Sequence, residues 1–290
     1  MGIKRTPKLW SSVGAMALLG GLAACGGEMG EDGSEHGQPV NDGASYSSQA
    51  GEGEGGEGEG GEGGEGESGG GGEFGIDPTL ARQDPVVYLS ALEVIRAHYL
   101  AGIDALELGE RTAGGEMFAH PISEIYVDLE EVVLELGAPN FMDEMVDASA
   151  APFDGRSDEE VRVAVERVLA AITTAEGFAP QSDESEARVY AKVMAGLIHR
   201  ATLQYQFAVA EPRAAEAYLD GYGFERTAAD IAERHLAAIT AEDAALGAAL
   251  GSALEGLAAV YPTAGRPAAL EGDVAALLAA SDAITGVIKP

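Results

Sequence analysis

From residue 84 onward, apolar residues recur at alternating spacings of three and four, the repeat of a helix with one buried face. Tyr88, Leu92, Ile95, Tyr99, Gly102 and Leu106 form the first stripe. Asp84-Pro85 ahead of it reads as an N-cap with proline at the first helical position, and Gly109 as the stop. Pro121 is expected to open a second helix, with Ile122, Tyr126, Leu129, Val133 and Leu136 inward and Gly137 and Pro139 closing it. Ser157-Asp158-Glu159-Glu160 is a capping-box sequence before Val161, Val165, Val168 and Ile172. Ser182 is expected to cap a long fourth helix that buries Tyr190, Val193, Met194, Leu197, Ala201 and Tyr205. Pro212, Thr227, Thr240 and Pro267 are each expected to open a further segment. No stretch alternates with period two for long enough to propose a strand. The pattern predicts an all-α domain over residues 76–290. It should be a helical bundle of about seven helices, and the abundant alanine after residue 210 suits close helix packing.

The chain ahead of that domain has a different character. Between Gly51 and Glu73 there is only glycine, glutamate and Ser68, with nothing apolar to bury. Such a stretch cannot offset the entropy of ordering, so residues 25–75 are expected to form a disordered Gly/Glu-rich tether. As a flexible coil it would span roughly 40 Å. Lys4, Arg5 and Lys8 precede a short apolar run from Trp10 to Leu22, the form of a secretory signal over residues 1–24. Leu22-Ala23-Ala24-Cys25 resembles the bacterial lipobox, and Cys25 is the only cysteine in the chain. The resemblance implies cleavage before Cys25, a diacylglycerol on its sulfur and an acyl chain on its new amine. Several acyl chains give stable membrane anchoring where one would be marginal. The expected location is therefore the bacterial cell envelope. Gly26, where the enterobacterial pattern would place aspartate for inner-membrane retention, favours the outer membrane, facing periplasm or surface.

Charge and missing motifs narrow the function. The formal net charge is −32, from 49 acidic residues against 17 Lys plus Arg, which repels phosphate backbones and excludes nucleic acid as a partner. A single cysteine forbids an internal disulfide and a multi-thiolate zinc site. Phosphate-binding glycine loops, a Gly-x-Ser-x-Gly elbow and a His-Glu-x-x-His zinc helix are absent from the sequence. The remaining chemistry rests on histidine. His98 and His199 each lie beside the apolar stripe of a long helix, where they could be metal ligands or core-edge residues with a local hydrogen bond. His120 and Glu124 are i,i+4 neighbours that could share one ion. Equally, Glu124, Asp128, Glu131 and Glu135 make one acidic row, which reads as a solvated face. The cofactor expectation is accordingly a metal ion, with His98, His120, Glu124 and His199 as candidate ligands and no catalytic residue.

One family resemblance bears on the domain. Val94-Ile95-Arg96-Ala97-His98-Tyr99-Leu100-Ala101-Gly102 is followed by His120-Pro121-Ile122-Ser123-Glu124-Ile125-Tyr126. Later come Tyr218-Leu219-Asp220-Gly221-Tyr222-Gly223-Phe224 and a long alanine-rich run. Together with the lipobox, this order is similar to the imelysin-like proteins over about residues 85–265. The resemblance implies a helical bundle in the periplasm or on the outer membrane, associated with iron or haem uptake. That family's Gly-x-His-x-x-Glu motif is missing here, Gly196-Leu197-Ile198-His199 being the nearest string, so no ligand is carried over from it. The expected function is a non-enzymatic, lipid-anchored binding module for metal uptake. The alternatives are an acidic lipoprotein docking on a basic protein and a metallopeptidase-like hydrolase, for which no activated nucleophile is visible. The anchor has its own test. Cys25→Ser should move the protein from the membrane fraction to the soluble fraction, whereas wild-type protein extracted by buffer without detergent would contradict acyl anchoring.

Overall fold

The first stripe becomes the centre of the domain. The computed structural model describes residues 77–288, and within them α2 (Pro85–Glu107) starts where Asp84 accepts from the Val86 N–H at 2.8 Å. Beyond its end Gly109 turns the chain with φ at 84°, a conformation that favours glycine. Buried residues run almost all the way round α2, including Tyr88, Leu92, Ile95 and Tyr99 and also the polar Glu93 and His98. A helix buried on every side must be surrounded by others. Its neighbours are α3 (Arg111–Pro121), α6 (Asp158–Glu176), α7 (Glu186–Ala210) and α8 (Ala215–Glu242). Among the described helices only α2 is long and apolar enough to cross a membrane, yet 67% of its apolar window is buried inside the domain, as expected of a core helix.

The remaining elements are α1 (Pro78–Ala81), a π-helical turn (Ile122–Tyr126), α4 (Val127–Glu135), α5 (Met142–Ala150), α9 (Ala244–Val260) and α10 (Val274–Val287). The domain is thus an all-α helical bundle, with no strand among the described residues. The acidic row on α4 is largely solvated, and Arg82 reaches it from α1 to pair with Glu131 at 2.9 Å and with Glu135. Cys25, the expected signal sequence over residues 1–24 and the Gly51–Glu73 run lie outside the described residues.

Some boundaries differ from those read in the sequence, each for a local reason. Pro121 does not open a helix. It closes α3, which occupies what looked like a turn because its centre, Gly114-Gly115, carries no apolar stripe. The chain then passes through a π turn, in which the Val127 N–H reaches the Ile122 carbonyl, and continues as α4. The cap of α7 is Ser185, which accepts from the Arg188 N–H at 3.1 Å, while Ser182 caps only the local turn at Glu184. Thr227 and Thr240 lie inside a single 28-residue α8. Thr227 is buried there, and Thr240 donates back to the Leu236 carbonyl at 2.7 Å. The next helices begin instead after Asp243 and Asp273, whose carboxylates accept from N–H groups of the following turn.

Backbone contact sets the spacing around α2. Added to Gly114, a Cβ would stand 2.6 Å from the Gly102 carbonyl oxygen, so α2 and α3 touch main chain to main chain. Added to Gly223, it would stand 2.5 Å from the Ala97 oxygen, and α8 therefore lies equally close to the other side of α2. Buried tyrosines hold the ends of this packing. Tyr99 donates to the Phe118 carbonyl at 3.2 Å, Tyr88 to Ala175 at 3.1 Å and Tyr261 to Ala201 at 2.9 Å. Overpacking of this kind costs about 1–3 kcal/mol, or roughly 2–12 °C of Tm in a domain of this size. Gly114→Ala and Gly223→Ala should each show that loss in a thermal melt. At Gly109, where nothing lies within 4 Å, Gly109→Ala should lose only the smaller cost of a left-handed alanine.

Candidate metal centre

The two glycine contacts aim three polar side chains at one place. His98 sits one turn before Gly102 on α2, His120 in the last turn of α3, and Asp220 about one turn before Gly223 on α8. Their ligand atoms, one per residue, all lie within 4.8 Å of one another. The His98 and His120 rings meet edge to face with centroids 6.4 Å apart, and Phe224 packs edge-on against His98 at 6.0 Å. Tyr99 stacks on Phe118 at 5.5 Å and fixes the α3 turn that carries His120.

The tautomer of His98 follows from its neighbours. Its Nδ1 lies 2.8 Å from the Val94 carbonyl oxygen, which can only accept, so Nδ1 carries the proton. In the neutral ring Nε2 then holds the lone pair, and it lies 3.8 Å from Asp220 Oδ1. Burial lowers the His98 pKa to about 4, helped by the neighbouring His120 and opposed by the hydrogen bond to Val94. A neutral imidazole tied to a carbonyl through Nδ1, with Nε2 turned toward a carboxylate and a second imidazole, has the form of a metal ligand. Two donors about 2.1 Å from a tetrahedral ion stand roughly 3.4 Å apart. The present separations, 3.8 Å from His98 Nε2 to Asp220 Oδ1 and within 4.8 Å throughout, are somewhat wider than that value.

Of the residues singled out in the sequence, the structure brings His98 and His120 together and adds Asp220. His199 is exposed on α7 and shares a 3.1 Å hydrogen bond with Ser281, outside the cluster. Its apolar neighbours along the sequence face the core while its own ring points off that face. Glu124 lies in the π turn and is not one of the three clustered ligands. Asp220 was missed although it left a trace: it is the one acid in a run whose Ala217, Tyr218, Leu219, Gly221, Gly223 and Phe224 are all buried. Comparison with family models, with curated proteins and with solved structures finds no match to this chain.

A second buried polar group lies farther along α2. Glu93 is fully buried and accepts from Arg96 at 2.9 Å, while Arg96 also pairs with Glu176 and Arg234 stands 3.6 Å from Glu93. Burial pushes the Glu93 carboxyl up to about 7, against the pull of Arg96 and with a further push from Glu176.

The two shifts act on stability with opposite sign. As pH falls, unfolded His98 takes a proton near its ordinary 6.5 while folded His98 waits until about 4, so its contribution is intact above 6.5 and is lost toward 4. As pH rises, unfolded Glu93 gives up its proton near its ordinary 4.5 while folded Glu93 keeps it to about 7, so its contribution is complete below 4.5 and is lost toward 7. Urea unfolding across this range should find the wild type nearly flat. Glu93→Gln should become more stable as pH rises, and His98→Leu less stable. The slope should be on the order of 1 kcal/mol per pH unit in each variant. Two variants with the same sign of slope would refute the assignment.

Proposed function

We propose that this chain is a lipid-anchored metal-binding module of the bacterial envelope, holding one divalent transition-metal ion between His98, His120 and Asp220. The observation that carries this reading is the convergence of two imidazoles and one carboxylate, drawn from three different helices, within 4.8 Å. Borderline nitrogen donors with one carboxylate suit zinc and the neighbouring divalent metals, iron(II) among them, better than calcium or magnesium, which take all-oxygen shells. Three protein donors leave coordination positions for water or for a group on an incoming carrier. Binding for uptake or transfer suits such an open set, and the likeness to imelysin-like proteins points to iron as the cargo. Anchoring at Cys25 would keep the site near the membrane surface.

Calorimetric titration of the full-length Cys25→Ser protein with Zn2+ and, anaerobically, with Fe2+ tests the centre. One tight site per chain is expected above a weak background from the tether glutamates, which every variant shares. His120→Ala and Asp220→Ala should each weaken the tight site by about 100-fold or more, while His199→Ala leaves it unchanged. Identical isotherms for wild type and the two ligand variants would refute the assignment.

A further inference from the structure

Asp220 belongs to two environments at once. It is one of the three clustered ligands, and it also lies on the floor of a groove of about 500 Å³ between α7 and the first turns of α8. Leu203, Gln204 and Phe207 line the α7 side, and Ala215, Glu216 and Asp220 the α8 side. The Asp220 side chain keeps 14% of its surface exposed, whereas His98 beyond it keeps only 1%. The Asp220 side chain is therefore the boundary: part of it is open to solvent, while Oδ1, 3.8 Å from His98 Nε2, is buried.

Glu216 and Asp220 are i,i+4 neighbours, so both carboxylates lie on one face of α8, one at the exposed mouth and one at the floor. The groove is large enough for a cation that still carries its water. Six waters at about 30 Å³ each occupy roughly 180 Å³, well inside its volume. Arg213 is the one cationic side chain on the wall; it is exposed at the rim and opposes the field of the two acids there.

We infer that this groove is the route by which a hydrated divalent cation reaches the His98–His120–Asp220 centre. Glu216 captures the ion at the mouth, and Asp220 draws it out of the groove toward the imidazoles. The inference rests on the metal reading above and adds a path and a capture residue to it. On this route water is shed at Asp220, where one carboxylate meets both the wet groove and the dry ring. Electrostatic capture acts on the rate of approach and weakens with salt, whereas a wall placed across the path slows loading and release alike.

Stopped-flow mixing of the full-length Cys25→Ser protein with Co2+, followed by visible absorption, separates these effects. Glu216→Gln should slow association about threefold at low salt and lose part of the salt dependence. Arg213→Gln should speed association by a similar factor. Ala215→Trp, at an exposed groove position, should slow association and dissociation together by about tenfold with Kd unchanged, and Leu203→Trp on the facing wall should repeat the effect if the first variant folds poorly. Tight Co2+ binding with wild-type rates in all these variants would overturn the route alone and direct attention to the half-buried His120 side. Absence of Co2+ binding in the wild type would overturn the metal reading and the route with it.

Discussion

Main-chain contact between α2 and its neighbours is the constraint on which the rest of the domain depends. At Gly102–Gly114 and at Ala97–Gly223 there is no room for a side chain between the helices, so α3 and α8 approach α2 more closely than ordinary packing allows. Each contact also fixes axial register, because only these positions can touch. The three candidate ligands all stand within about two turns of the contacts, where a small change in register would separate them. The glycines offer no ligand atom, yet their contacts set where the three candidate ligands stand.

Enclosing α2 in this way obliges the domain to bury whatever polar groups α2 carries. His98 and Glu93 are both inside, five residues apart, and each meets burial differently. His98 becomes neutral and satisfies Nδ1 on its own helix. Glu93 is placed among Arg96, Glu176 and Arg234, so its carboxyl is held in an ion network that reaches α6 and α8. A buried network of this kind adds little net stability over an apolar substitute, yet losing one member leaves a charge uncompensated. The sequence therefore tolerates these residues for a reason other than stability. For His98 the nearby imidazole and carboxylate supply that reason; for Glu93 the tie between three helices does.

Much of the architecture was legible because it rests on local rules. The stripe from Tyr88 to Leu106, the proline after Asp84 and the capping box at Ser157 all act within a few residues, and all three are found as read. What misled the reading was punctuation without its tertiary context. Pro121 looked like a start because prolines commonly open helices, but here the chain runs through it by way of a π turn. The α3 helix was invisible because it packs by glycine, and the absence of side chains gives no hydrophobic period to detect. The candidate site was half legible for a related reason. Histidines beside apolar stripes can be found by spacing, and two of them do meet. The third candidate ligand lies a hundred residues after His120, and no spacing rule on α2 or α3 could have selected Asp220. Its only sign was a lone acid in a buried, small-residue run.

Placing a ligand on each of three helices joins binding to packing. An ion held by His98, His120 and Asp220 would tie α8 to the α2–α3 hairpin at the point where the glycine contacts already press them together. At an ion concentration of 100 Kd that tie is worth about 2.7 kcal/mol, similar to the cost of one misplaced methyl group at those contacts. The comparison sets a scale for the site. Binding at that level could tighten an arrangement the backbone already specifies but not create it, so any ion bound there would meet a centre already nearly formed. The neutral His98, with its tautomer fixed by Val94 and its Nε2 lone pair turned toward Asp220, is consistent with such preorganisation. Burial disfavours the charged ring and holds its pKa at about 4, so Nε2 would keep its lone pair for a cation across the mildly acid range. Any selectivity the proposed centre has would be set where geometry is fixed, at the crossing of α2, α3 and α8.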